Sequence, residues 1–370
     1  MGLPVIMDAT PLGGGHGGRG IGAATAGVIE GFAQLPEAER PALLTRVDET
    51  VHTGFRRVDL TLGPWRLARA GVPDPRPARR ARRALAGHAF EVFHATQPGL
   101  EAARGMTCVE TCYDLIPLLF PGEYLAGPRR VLERRAYDRY LRRLRHAARV
   151  VVNTHAVARD VVNLAGVDGR RVRVVPLAVP PIAESVAEPP AQTDPYILYS
   201  GSVEPHKNVG LLVDALGRSR HPALRLRLTG PWSRRRLADL CGRIDAAGLT
   251  ARVDLMGHVT APQLAALRKG AVGVAVPSLS EGFGLPVLEA MAAGVPVVCS
   301  TAPALVEVSG GACPAVDPHD AGAWADALDA LVDDAGARQR LARDGRARAA
   351  LFAWKATAER LADVYREVMV

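Results

Sequence analysis

At 370 residues the chain exceeds what one small core organises, and with 48% apolar and 23% charged residues a disordered or collagen-like polymer is excluded. The net charge of +8 leaves an acidic partner open, but no zinc-finger spacing, RNA-binding aromatic signature or basic zipper accompanies it, so no nucleic acid is expected. Five cysteines without a CxxC pair exclude a disulfide framework and a cysteine zinc site; no signal-like leader and no run of eighteen uncharged apolar residues occurs, which points to a cytoplasmic protein in a reducing compartment.

The chain opens with an apolar run, "PVIM", and a glycine-rich loop, followed by a helical pattern, "IGAATAGVIEGFAQL", that carries Ile21, Val28, Ile29 and Phe32 on its apolar face. Apolar runs recur at "PALLTRV", "EVFHAT", "MTCVETCY" and "RVVVNT", with helical stretches between several of them, and "RVRVVPLAV" closes the half. Alternation of this kind predicts a mostly parallel sheet with helices on both faces. Arginine is concentrated at 76–83 and 129–149. The second of these stretches places Tyr137, Tyr140, Leu141, Leu144 and Ala148 on one helical stripe, so its arginines read as a solvated face, with a peripheral contact to an acidic acceptor or the inner membrane face left open.

Residues 180–195 are rich in proline and acids and fit no period, which marks a linker between a domain at 1–180 and one at 181–354. The alternation then restarts: "YILYSG", "VGLLVDALGRS", "LRLRLTG", "RRRLADLCGRIDAAG", "VDLMGHV", "PQLAALRKGA", "VGVAVPS", "PVLEAMAAG" and "VPVVCS" read as strand, helix, strand and so on. Strands apolar throughout are those buried on both faces of a parallel sheet. The tail from Ala323 is helical and ends in an amphipathic piece.

In an open parallel sheet, ligands bind beyond the carboxyl ends of the strands, and two loops of the second half fall there. In "PSLSEGFGLPVLEAM", Gly282 and Gly284 free the backbone to turn and Pro286 suits the first turn of a helix. The amides of Phe283, Gly284 and Leu285 are then expected to face outward at a helix N-terminus, which attracts anions and polar oxygens. Glu281 lies ahead of that helix and Glu289 about one turn into it, and each carboxylate offers two acceptor oxygens to the vicinal hydroxyls of a sugar or a ribose. In "YILYSGSVEPHKNVG", His206 and Lys207 follow a proline turn, Asn208 is the expected N-cap of the next helix, and a mobile ammonium there suits a diphosphate. Gly15, Gly17 and Gly20 form a GxGxxG, but the glycines start several residues late and Glu37 and Glu39 lie in a loop before "PALLTRV", which makes a dehydrogenase a poor fit.

Taken together, "EGFGLPVLEAMAAGVPVV", "GSVEPHKN", "GHVTAPQLAALRKGA", "YDLIPLLFP" and "FAWKATAERLADVY" resemble glycosyltransferase family 4 over nearly the whole chain. The resemblance implies an α/β GT-B fold, with two Rossmann-like doubly wound domains facing a central cleft. It implies metal-independent transfer of a hexose from a nucleotide-diphosphate sugar, with retention and no cofactor, and no Asp-x-Asp metal motif occurs in the chain. By position, Glu281 falls to the donor sugar, the amides of Phe283, Gly284 and Leu285 to sugar and phosphate, Glu289 to the ribose, and Lys207 to the diphosphate, with Gly282 also in the donor-binding set. Ser202, His206, His258 and Val259 complete the implied donor site, and Gly18 and Gly20 belong to an N-terminal loop closing on donor and acceptor. The first domain is implied to bind the acceptor (a saccharide, lipid-linked sugar or natural product), with the final helix, 355–370, packing back on it.

Two departures stand out. Tyr113-Asp114 replaces His-Asp, tilting the resemblance toward a mannosyltransferase-like branch with a GDP-sugar donor and leaving Asp114 to orient acceptor or sugar. His206-Lys207 replaces Arg-Lys, with one permanent charge fewer. A nucleotide-sugar 2-epimerase of the same fold and a non-catalytic nucleotide-sugar-binding subunit are the alternatives.

Overall fold

The computed structural model describes residues 3–12, 20–46, 54–60, 76–98, 100, 105–127, 130–179 and 194–369. The chain divides into two compact units, Met1–Pro180 with Phe352–Val370, and Pro181–Leu351. Most of the expected linker and the loop containing Gly15, Gly17 and Gly18 lie outside the described residues.

The N-terminal unit is a seven-stranded parallel sheet ordered β3-β2-β1-β4-β5-β6-β7. Its strands are β1 (Val5–Asp8), β2 (Ala42–Arg46), β3 (Arg57–Leu60), β4 (Val92–Ala95), β5 (Thr107–Cys112), β6 (Arg149–Val152) and β7 (Val172–Val174). Helices α1 (Ile21–Ala33), α2 (Arg76–Leu85), the one-turn α3 (Ile116–Leu119) and α4 (Pro121–Tyr124), α5 (Val131–His146) and α6 (His155–Asn163) connect them. All four residues of β1 and of β4 are buried, Asp8 and His94 included, because both faces of a parallel sheet are covered. The edge strand β3 alternates exposed and buried residues, and its two apolar side chains are too few to mark it in the sequence.

On α5, Tyr140, Leu141 and Leu144 are buried against β5 and β6, while Arg134, Arg135, Arg139 and Arg142 are exposed. The solvated-face reading fails at Arg143, whose guanidinium donates two 2.9 Å bonds to the buried Glu110 carboxylate. A buried carboxylate needs such a partner, and a helical stripe cannot reveal it.

The C-terminal unit is a six-stranded parallel sheet ordered β10-β9-β8-β11-β12-β13. It comprises β8 (Tyr196–Ser200), α7 (Gly210–Arg218), β9 (Arg225–Thr229), α8 (Arg234–Ala246), β10 (Val253–Gly257), α9 (Ala261–Gly270), β11 (Gly273–Val276), α10 (Leu285–Ala292), β12 (Val297–Ser300), α11 (Pro303–Ser309), β13 (Ala315–Val316), α12 (Ala321–Asp333) and α13 (Ala335–Ala349). The core gathers Leu212, Leu226, Leu228, Val298 and Trp324.

The last helix, α14 (Trp354–Arg366), packs on α1 of the N-terminal unit. Gly27 and Gly31 lie one helical turn apart and leave room for it: a β-carbon on Gly27 would stand 2.1 Å from the Trp354 ring, and one on Gly31 2.1 Å from the Trp354 carbonyl oxygen. Tyr365 Oη lies 2.7 Å from His94 Nδ1, and Thr357 Oγ1 donates to the Pro176 carbonyl at 2.8 Å.

Candidate functional site

Strand order reverses at β8 in the C-terminal unit: β9 and β10 follow on one side, β11 to β13 on the other. The loops leaving β8 and β11 therefore diverge, which is where open α/β sheets bind ligands. Both loops singled out from the sequence start there. They are stitched together, because Leu279 N donates to the His206 carbonyl at 2.7 Å. Asn208 also ties them, and this overturns its expected role as a helix cap. Its backbone is left-handed, with φ of 54°, α7 is capped by Val209, and its side chain donates to the Pro318 carbonyl at 2.7 Å and the Pro277 carbonyl at 3.3 Å. Asparagine tolerates that backbone conformation better than most residues, and its amide is better used joining two loops than closing one helix end.

Across this seam Lys207 Nζ reaches both Glu281 carboxylate oxygens, at 2.7 and 2.8 Å. Ser278 Oγ donates to Glu281 Oε1 at 2.7 Å. The Ser278 carbonyl in turn accepts from Ser300 Oγ, whose oxygen accepts from Ala302 N at 3.2 Å, so the end of β12 braces the carboxylate. The Glu281 side chain is 9% exposed and that of Lys207 20%. Burial alone would push the Glu281 carboxyl up; the Lys207 ammonium and the bonds from Lys207 and Ser278 outweigh it and hold the group below the usual carboxylate range. His206 is buried, and desolvation together with the neighbouring Lys207 charge lowers its pKa to about 4, so at neutral pH it is an uncharged ring.

Gly284 caps α10 in a left-handed conformation, φ 99°, and a β-carbon there would lie 2.5 Å from Leu305 Cδ2, so both backbone and space call for glycine. Phe283 is buried, and Leu285 and Pro286 open the helix. Glu289, at the fifth helical position, accepts a 2.7 Å bond from Arg268 Nη2 on α9. Arg268 was not visible as a site residue, since a basic side chain in the last turn of a helix ordinarily serves the helix dipole. The Ser202 carbonyl accepts from Tyr199 Oη at 2.5 Å, while His258 and Val259 lie after β10, at the far edge of the sheet from β11. The structure thus gathers His206, Lys207 and Glu281 at one corner, sets Glu289 on the helix that leaves it, and leaves His258 and Val259 two strands away from β8.

Asp114 and Gly20 belong to the N-terminal unit. Asp114 Oδ1 accepts from Ile116 N at 3.1 Å at the start of α3, and Gly20, φ 54°, precedes α1. At this unit's own reversal of strand order, between β1 and β4, the sequence reading missed Asp8, which is fully buried. Its Oδ1 accepts from Thr10 N at 2.9 Å and Thr10 Oγ1 at 2.7 Å, and Oδ2 has no partner among the described residues. Burial raises its pKa to about 6 against these bonds. An aspartate at a strand end before glycines reads as a turn residue, so only burial reveals it. Among the described residues no group of three or more His, Cys, Asp or Glu side chains could hold a metal ion, and no helix is long and apolar enough to cross a membrane.

Comparison with known proteins places both units. The family described as Glycosyltransferase Family 4 matches residues 36–181, and that described as Glycosyl transferases group 1 matches residues 183–348. The D-inositol 3-phosphate glycosyltransferase of Pseudarthrobacter chlorophenolicus is 35% identical over 226 residues, 57% of this chain and 54% of that protein. Its counterpart in Arthrobacter sp. strain FB24 is 33% identical over 276 residues, 70% of this chain and 65% of the relative. The matches therefore span from about half to just under two thirds of these relatives. Among solved structures, sucrose-phosphate synthase from Thermosynechococcus elongatus superposes with a TM-score of 0.75 at 20% identity, covering 99% of each chain. Anabaena HepE in complex with UDP and glucose gives 0.70 at 18% identity, covering 98% of this chain and 99% of that one. At such identities the likeness concerns the fold.

Proposed function

The chain belongs to glycosyltransferase family 4 and has the GT-B fold of two Rossmann-like units, and on that premise we propose that it transfers a hexose from a nucleotide-diphosphate sugar to an acceptor hydroxyl with retention at the anomeric carbon. The observation that carries the reading is the meeting of Lys207 and Glu281 at the diverging ends of β8 and β11, with Glu289 one turn into the helix that follows. An ammonium, a carboxylate and a second carboxylate in that order match diphosphate, hexose and ribose.

In this mechanism the donor diphosphate takes over Lys207, releasing Glu281 to accept hydrogen bonds from sugar hydroxyls. Negative charge grows on the departing diphosphate as the glycosidic bond breaks, and Lys207 with the N-terminal amides of α10 stabilises it, the role a divalent ion would otherwise fill. His206, uncharged, shapes the loop, so Lys207 carries the cationic part of this work. A departing phosphate oxygen takes the acceptor proton on the same face, which gives retention without a carboxylate nucleophile. The N-terminal unit is assigned the acceptor, with Asp114 orienting it.

The test is a donor screen. UDP- and GDP-hexoses are incubated with saccharide, lipid-linked and D-inositol 3-phosphate acceptors, release of nucleoside diphosphate is followed, and products are weighed and their anomeric configuration determined. Acceptor-dependent release with a retained product supports the reading. Conversion of the nucleotide sugar without acceptor would identify an epimerase instead, and binding without turnover a non-catalytic subunit.

A further inference from the structure

We infer that Arg268 is a positioning residue that fixes the Glu289 carboxylate for the vicinal hydroxyls of the donor ribose; this rests on the reading of Glu289 given above. Arg268 and Glu289 come from successive helices, α9 and α10, and meet at 2.7 Å. Their exposures differ: the arginine side chain is 11% exposed and the glutamate 36%. The cation therefore lies beneath and the anion faces outward.

Helical side chains lean toward the N-terminus of their helix, and in a parallel α/β unit that direction leads to the carboxyl ends of the strands. Arg268, in the last turn of α9, thus points up toward the ligand end of the sheet from below. A cation so little exposed is costly to bury without its counter-ion, so it stays bound to Glu289 and is not a spare charge for the diphosphate. The carboxylate is not exhausted by this contact. Each of its two oxygens accepts more than one hydrogen bond, and the guanidinium engages Oε2. An unanchored glutamate samples many rotamers, whereas one pinned from below presents a fixed edge to a diol, so less side-chain entropy is lost on binding.

Calorimetry on the full chain tests this with the nucleoside diphosphate that the wild type binds, UDP or GDP, and its 2′,3′-dideoxy counterpart. The wild type should prefer the intact ribose by about tenfold or more, the scale of charge-assisted hydrogen bonds. Arg268→Ala should weaken the intact nucleotide about tenfold and leave the dideoxy form nearly unchanged, so that discrimination collapses, while Arg268→Lys recovers part of it. Arg268→Met keeps the apolar stem and serves if the alanine variant does not fold. In a double-mutant cycle, Arg268→Ala and Glu289→Gln together should cost little more than Glu289→Gln alone. Equal weakening of both nucleotides, or additive losses, would overturn the inference in favour of a structural or direct phosphate role. If Glu289→Gln abolishes ribose discrimination and Arg268→Ala does not, this inference alone falls. If the wild type binds neither nucleotide nor any nucleotide sugar, the reading beneath it falls as well.

Discussion

At the ends of β1 and β4 the polar side chains are sealed: Asp8, Thr10, His94 and Thr96 are all buried, and Asp8 is satisfied on one oxygen by Thr10. At the ends of β8 and β11, the equivalent corner of the other sheet, opposite charges meet in a partly exposed seam, Lys207 with Glu281, and a second pair, Arg268 with Glu289, lies along the helix that follows. Both corners are polar because a chain leaving a parallel sheet must satisfy its backbone with local side chains. Topology alone therefore nominates both, and exposure with charge sets the proposed donor corner apart from the sealed one.

The sharpest way to break this distinction is Lys207→Ala. Turnover at saturating donor should fall about 10²–10³-fold, as when one preorganised donor to a developing anion is removed. An unchanged rate would place the seam with the structural corner.

The sealed corner should instead announce itself in the pH dependence of stability. Asp8 is raised from 3.8 to about 6, so the native state holds its proton longer, and the stability it contributes is present below pH 4 and lost as pH rises through 6. His94 is lowered from 6.5 to about 3 by burial, so its contribution is present above pH 6.5 and lost as pH falls toward 3. The two trends oppose each other. Asp8→Asn should unmask the histidine, so that denaturant stability rises with pH between 4 and 6 more steeply than in the wild type, by on the order of 2 kcal/mol across the window. Identical profiles would contradict the assignment.

A smaller effect is expected at Gly31, where α14 crosses α1. Gly31→Ala drives a methyl into the Trp354 carbonyl and should cost about 1–3 kcal/mol, leaving donor affinity unaltered. Smallest of all, Arg134→Ala and Arg142→Ala on the exposed face of α5 should stay within about 0.5 kcal/mol of wild type in chemical denaturation.

Much of this was legible in the sequence, for identifiable reasons. The runs of β8, β11 and β12 are largely apolar because both faces are covered, and Gly201 and Pro277 end the first two. Lys207, Glu281 and Glu289 could be nominated because a strand end, a turn and a helix start fix their place. What escaped depends on partners distant in sequence. Nothing in "LAALRKG" says that Arg268 reaches Glu289, nor does the arginine periodicity of α5 say that Arg143 crosses to Glu110. Asn208 ties two loops where its sequence suggests a helix cap, because both roles favour the same residue type. The close approach of α14 was written in Gly27 and Gly31, one turn apart, but such spacing names no partner.

The most direct measurement is calorimetric titration of the wild type, Lys207→Ala and Glu289→Gln with UDP- and GDP-hexoses. One nucleotide sugar should bind the wild type, with each substitution weakening it about tenfold or more. Affinity that survives both substitutions, or no binding by the wild type, would contradict a donor seated at the ends of β8 and β11.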